Sequence, residues 1–148
     1  MKIELSSGLT NKQIEQIDTI WNEVYPIKLV GRFRLLIKET EELEHHILVN
    51  EVEDVIGWAA TFLRDDEAWF SILVSASNQN KGFGQLLLDS LKENSKKLSG
   101  WVIDHNYDFK RDGSTYYSPL YFYLKNDFVL LQERLESDLI SAAKITFG

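Results

Sequence analysis

Apolar residues recur along this chain in two spacings, one helical and one extended, and the switches between them mark its elements. Met1 to Leu5 has the length of a short first strand, and Ser6-Ser7-Gly8 breaks it. Thr10 and Gln13 stand at capping-box spacing. Ile14, Ile17, Ile20, Trp21 and Val24 then share one helical face until Pro26 ends the run. The spacing predicts a second amphipathic helix over Leu29 to Glu44, with Phe33, Leu36, Ile37 and Thr40 inward. His46 to Val52 and Val55 to Leu63 read as a hairpin turning near Glu53-Asp54. Arg64 to Glu67 is a polar turn into a further strand, Ala68 to Ser75.

The sharpest switch follows Ser75. Ala76 to Gly84 is polar and carries glycines at 82 and 84, and Leu87, Leu88 and Leu91 then line one helical face. A strand, a glycine-bearing turn and a helix start together aim several free N–H groups at an anion, so a phosphate is the expected ligand. Leu87 stands where a dinucleotide fingerprint needs its third glycine, and the Gly-Lys-Ser/Thr of a mononucleotide loop is missing. The helix is predicted over Gly84 to Leu98, closed by Ser99-Gly100. Trp101 to His105 is then a strand parallel to the preceding one, because a helical crossover joins them. Asn106 to Tyr117 is a loop of a length that is often functional. Ser118 caps a short helix that has Pro119 in first place and runs over Leu120 to Asn126, with Asp127 at a left-handed position. Phe128 to Leu135 and Leu139 to Phe147 form a closing hairpin.

Composition narrows the class. The 148 residues suffice for one domain with a real core, 1–148, without repeat or linker. No apolar run approaches the roughly 20 residues that span a bilayer, and Met1-Lys-Ile-Glu-Leu5 does not read as a signal peptide. The absence of cysteine excludes disulfides, thiolate metal sites and an acyl-cysteine intermediate, and a cytoplasmic setting is expected. A formal charge of −7 argues against nucleic acid and anionic membranes as partners, and suits a cationic, amine-bearing one. Glu39, Glu41, Glu42 and Glu44 read first as a solvated helix face. His45 and His46 are adjacent in a strand and so point to opposite faces, and no metal is implied.

The segment Gln79-Asn80-Lys81-Gly82-Phe83-Gly84 resembles the acyl-CoA loop of the GNAT acetyltransferase superfamily, Arg/Gln-x-x-Gly-x-Gly/Ala. About 40 residues on, Phe122-Tyr123-Leu124-Lys125-Asn126-Asp127-Phe128 is similar to that family's second signature, Phe-Tyr-x-Lys-x-Gly-Phe. The resemblance implies an α/β (α+β) fold: a mixed, mostly antiparallel sheet of about six or seven strands with flanking helices. In it the fourth and fifth strands splay apart. It implies acetyl-CoA as cosubstrate, with the pantetheine arm along the backbone of Ile72, Leu73 and Val74. The pyrophosphate would lie on the amides of Gln79, Asn80, Lys81, Gly82, Phe83, Gly84 and Gln85. Four departures stand out. Gln79 replaces the frequent Arg and Asp127 the usual Gly, while Tyr116 and Pro119 occupy places often held by Asn and Ala. The Asn contact to the cofactor would then fall to Asn106 or Ser118.

By the same resemblance Tyr123 lies near the sulfur as general acid and also contacts the cofactor, and Tyr121, some 200° round the helix, packs. An ammonium acceptor must first lose a proton. His105, Asp104 and Glu67, with Asp66 beside it, are the candidate bases, and the residues alone do not choose among them. The expected activity is transfer of an acetyl group to a primary amine of a small molecule or peptide, by direct attack in a ternary complex. The alternatives are a non-catalytic acyl-CoA sensor or interaction module with the same fold, and a domain without ligand. A homodimer through exposed strand edges or the terminal hairpin is compatible with all three.

Overall fold

The computed structural model describes residues 1–148. Seven strands make one sheet: β1 (Lys2–Ser6), β2 (Glu44–Val49), β3 (Val55–Arg64), β4 (Glu67–Val74), β5 (Leu98–Val102), β6 (Val129–Glu136) and β7 (Ser141–Phe147). Four helices flank it: α1 (Asn11–Val24), α2 (Arg32–Glu39), α3 (Phe83–Asn94) and α4 (Leu120–Lys125). The sheet order is β1-β2-β3-β4-β5-β7-β6, and only β4 and β5 run parallel. No helix is long and apolar enough to cross a membrane.

Alternation along β4 separates two cores. Trp69 and Leu73 point to one face and pack with Trp21, Phe33, Trp58 and Phe62 beneath α1 and α2. Phe70 and Val74 point to the other and pack with Leu87, Leu88, Leu91, Tyr123 and Phe128 beneath α3 and α4. His45 and His46 divide in the same way. His45 accepts from Trp58 Nε1 at 3.0 Å, while His46 Nδ1 meets Ser90 Oγ at 2.7 Å on the opposite side. The Thr10–Gln13 capping box forms in both directions, and Asp127 takes φ +70° as expected.

Several boundaries differ from the sequence reading: β2 ends at Val49 rather than Val52, β7 begins at Ser141 rather than Leu139, and Pro119 rather than Ser118 is the cap of α4. The helix predicted over Leu29 to Glu44 is a 3-10 turn, Ile27–Leu29, followed by the shorter α2. Gly31 at φ +83° cannot lie inside a right-handed helix, and Glu44 already belongs to β2. The helix predicted to Leu98 stops at Asn94, and Ser99-Gly100 is part of β5 rather than a helix stop. Gly100 serves packing: a Cβ there would lie 2.7 Å from the Phe70 ring, so the glycine lets that ring lie against the strand. Consequently Asp104 and His105 fall beyond β5, on the following loop.

A candidate acyl-CoA site at the parted strands

β4 and β5 share one register pair, Trp69↔Ser99, and then diverge. A short network closes the base of the fork. Ser99 Oγ donates to Glu67 Oε2 at 2.8 Å, and Lys144 Nζ reaches Glu67 Oε1 at 2.9 Å and Glu133 Oε2 at 3.4 Å. Trp101 stacks on Trp69 at 5.4 Å just above it, with Lys144 5.1 Å over the Trp69 ring.

The phase of the β3–β4 ladder determines which backbone groups the fork exposes. Ser75 N–H donates to Ile56 O at 2.9 Å, so by antiparallel alternation the Leu73 and Ser71 amides also face β3, and those of Ile72 and Val74 face the gap. Two carbonyls on the gap side have protein partners. Tyr25 Oη donates to Ile72 O at 2.7 Å, and Gln79 Nε2 donates to Val74 O at 3.1 Å. Of the three residues expected to pair with an extended ligand, Ile72 and Val74 present main-chain groups to it, while Leu73 is engaged by β3.

Above the fork lies the loop into α3. Asn80 takes φ +62° and Gly82 φ +84°, and the chain turns sharply into the helix. The amides of Asn80, Lys81 and Gly82 have no acceptor in the protein, and those of Phe83, Gly84 and Gln85 open the helix, where no intrahelical carbonyl is available. Six consecutive free donors at a helix start form a cradle for an anion. The Gln85 side chain is committed elsewhere, to Asp89 Oδ1 at 2.9 Å and Asn126 Oδ1 at 2.7 Å. The Lys81 side chain is exposed, and Phe83 packs against the second core.

A cavity of about 680 Å³ runs from this loop through the fork. Its walls include Gln79, Gly82 and Phe122 on the α3/α4 side and Trp21, Leu36 and Trp69 on the α1/α2 side, so it passes through the sheet. The loop between β5 and α4 arches over the opening. Phe109 O accepts from Ile27 N–H at 2.8 Å, Lys110 bridges to Pro26, and Tyr116 lies edge-on to Tyr25 at 6.4 Å.

Three phenols surround the centre. Tyr123 is buried in an aromatic nest with Phe70, Phe122 and Phe128 at 5.2 to 5.5 Å. No protein group hydrogen-bonds the hydroxyl of Tyr123 or Tyr116, and both residues line the cavity. Burial pushes the Tyr123 hydroxyl well above the usual phenol range, with smaller contributions from Tyr25 and Tyr116. Burial also raises Tyr116, and it raises Tyr25 to about 12 against the opposing bond to Ser71. Tyr121, expected to pack, is instead exposed at the surface of α4, with Lys125 Nζ over its ring at 5.3 Å.

The candidate bases are scattered. Glu67 sits in the network at the base of the fork, where bonds from Lys144 and then Ser99 lower its pKa. Asp104 forms a two-point pair with Arg134 at 2.8 and 3.1 Å, and that bond holds its carboxyl below the usual range. His105 stacks on Tyr107 at 5.2 Å and accepts from the Tyr107 amide. Asp66, in the β3–β4 turn, takes φ +62°. None of these four lines the cavity, and neither does any other Asp, Glu or His. Asn106 Oδ1 accepts from the Ser118 amide, and Ser118 Oγ accepts from the Leu120 amide at the start of α4. No group of three or more His, Asp or Glu is placed to hold a metal ion.

Sequence spacing gave no sign of Tyr25. Its only local signal is its place before the proline that ends α1, and its partner Ile72 lies 47 residues away. Trp21 reads as core from its helical spacing and Trp69 falls within a strand, and both also face the cavity.

No protein-family model and no curated protein sequence matches the chain. Solved structures do. An acyl-CoA N-acyltransferase from Pseudomonas aeruginosa superposes with a TM-score of 0.72 at 11% identity, over 100% of both chains. A GNAT superfamily phosphinothricin acetyltransferase from Sinorhizobium meliloti, in complex with AcCoA, gives 0.60 at 15%, covering 99% of this chain and 88% of its own. An aminoglycoside 6'-N-acetyltransferase complexed with coenzyme A gives 0.67 at 11%, over 99% and 96%. The fold is the GNAT fold. Its mixed sheet, with β4 and β5 parallel and parted, is the architecture that the two signatures imply. At these identities the likeness concerns the GNAT fold alone, and the chemistry has to be argued from the cavity.

Proposed function

We propose that the protein is an acetyl-CoA-dependent N-acetyltransferase acting on a primary amine. The observation that carries this reading is the coincidence, in one cavity, of an unpaired amide cradle, an exposed strand edge and the free hydroxyl of Tyr123. The cradle from Asn80 to Gln85 fits a diphosphate, and the gap-side groups of Ile72 and Val74 fit an extended amide-bearing arm added as a strand. Acetyl-CoA supplies an activated acyl group.

In direct transfer the amine nitrogen bonds to the acyl carbon, the carbon–sulfur bond breaks, and sulfur leaves with the electron pair. The amine's surplus proton leaves to water, because no carboxylate or imidazole lines the cavity. A gap-side amide of β4 faces the carbonyl oxygen as its charge grows. Tyr123 keeps its proton at neutral pH and delivers it to the departing sulfur, in a site where desolvation also raises the basicity of a thiolate. The phenolate it leaves takes a proton back from water to restore the resting state.

The test is thiol release from acetyl-CoA across a panel of primary amines, with Tyr123→Phe alongside. The variant is expected to keep its acetyl-CoA affinity and lose about 10²-fold or more in kcat, the usual contribution of a positioned proton donor. An unchanged kcat removes Tyr123 from the reaction. Absence of turnover with every amine, despite acetyl-CoA binding, favours a sensor.

A further inference from the structure

In a chain with 23 acidic and 16 basic residues, the cavity lining includes Arg64 and Lys110 and not one carboxylate. Neither cation takes part in an ion pair, whereas Lys144, at the base of the same fork, is held by Glu67 and Glu133. Asp112 is bonded to Ser114. Glu39, Glu41 and Glu42 line an adjoining groove with Arg32, whose walls also include Trp21, Leu36 and Arg64, yet none of the three forms an ion pair with Arg64.

Position separates the two cations. Arg64 pairs in register with Glu67 at the start of β4, whereas the anion cradle follows Val74 at its end. A strand of that length puts them roughly 23 Å apart, too far for Arg64 to serve the cradle. Arg64 therefore stands at the end of the cavity remote from the diphosphate, beside Trp69 and Phe62, with its guanidinium 5.2 Å over the Phe62 ring. The wall between is aromatic: Trp21, Trp69 and Trp101 all face the space.

We propose that the acceptor is an amine that also carries an anionic group, of carboxylate type, on an apolar body, and that Arg64 is the residue that reads the anion. The proposal rests on the acyl-transfer reading and specifies its substrate class. A planar guanidinium offers two parallel donors to a carboxylate, and a flat apolar body fills the space between the three indoles. The chain's negative charge points instead toward cationic partners, but recognition is governed by the groups lining the cavity rather than by the sum over the surface.

The experiment uses α- and ω-amino acids with aromatic or aliphatic bodies, each paired with its carboxamide. Binding to the CoA-saturated protein is read from quenching of the cavity tryptophans. The acids should bind at least tenfold more tightly than their amides, and Arg64→Gln should abolish that preference while leaving acetyl-CoA affinity unchanged. Lys110→Gln separates the second cation. If the preference survives Arg64→Gln but falls in Lys110→Gln, Arg64 is not the reader and the assignment is overturned. If no acid in the panel outbinds its amide, the substrate class itself is overturned. Turnover of the panel is scored separately. A charge preference in binding without thiol release would retire the transferase reading, and brisk turnover without charge preference would retire only this one.

Discussion

Tyr123 and the buried histidines show how a single side chain couples burial to pH. No protein base lines the cavity, so the pH dependence of kcat/KM for an amine should follow the amine's own ionisation. We expect it to rise close to tenfold per pH unit and to level only near the acceptor's pKa, about 10 for an alkylamine. Glu67→Gln, Asp104→Asn and His105→Gln should each leave that profile's shape intact. An inflection that disappears in one of them would identify the base. His45 controls stability instead. Burial lowers its pKa to about 4, with a smaller push from His46. The unfolded chain therefore binds a proton below pH 6.5 that the folded chain refuses, and the contribution present above that pH is lost as pH falls toward 4. Denaturant titrations should show the unfolding free energy dropping by up to about 1.4 kcal/mol per pH unit across this window. His45→Gln, which keeps an acceptor for Trp58, should flatten the drop, and His46, also lowered by burial, accounts for what remains.

The two glycines after β4 look equivalent in sequence, but they do different work in the turn. Gly82 takes φ +84° in open space, so its requirement is conformational, whereas Gly84 lies in α3 with Phe122 at ordinary contact distance, 3.8 Å from a notional Cβ. Gly82→Ala should destabilise by about 1–2 kcal/mol and weaken acetyl-CoA binding, because the left-handed turn positions the free amides. Gly84→Ala should be neutral or stabilise by up to about 1 kcal/mol as a better helix former. Thermal shifts with and without acetyl-CoA separate the two cases. Elements with strong local cues were legible from sequence: the capping box of α1, the leucine face of α3, the left-handed Asp127. The end of α3 was not. Leu98-Ser99-Gly100 carries a helix-stop signal locally, and only the Phe70 ring across the gap reveals that the glycine belongs to a strand. The site divides along the same line. The amide cradle is contiguous in sequence and could be read directly, whereas Tyr25, Arg64 and the lone β4–β5 pair owe their places to long-range packing and leave little or no local trace.

Across the whole molecule, the cavity is walled by residues of both faces of the sheet, and α1, the loop from β5 to α4 and the start of α3 all contribute to it. A ligand that seats in the cradle and along β4 contacts elements from both cores. Acetyl-CoA at 100 times its dissociation constant should therefore raise the unfolding free energy by about 2.7 kcal/mol, read as an upward shift of the melting midpoint. No shift at saturation would remove the cradle as a binding site. The base of the fork stays fixed while its arms stand apart, because Lys144 ties Glu67 on β4 to Glu133 on β6, and Ser99 of β5 completes the tie.

A cavity walled from both faces of the sheet also bears on traffic. On the proposed acyl-transfer reading, the thioester carrier would come in from the α3 side and the nucleophile from beneath the tryptophans, so that neither would block the other and each product would leave the way its parent arrived. Initial-velocity plots against either reactant should therefore intersect, and desulfo-CoA should compete with acetyl-CoA alone, the behaviour of a meeting place rather than a queue.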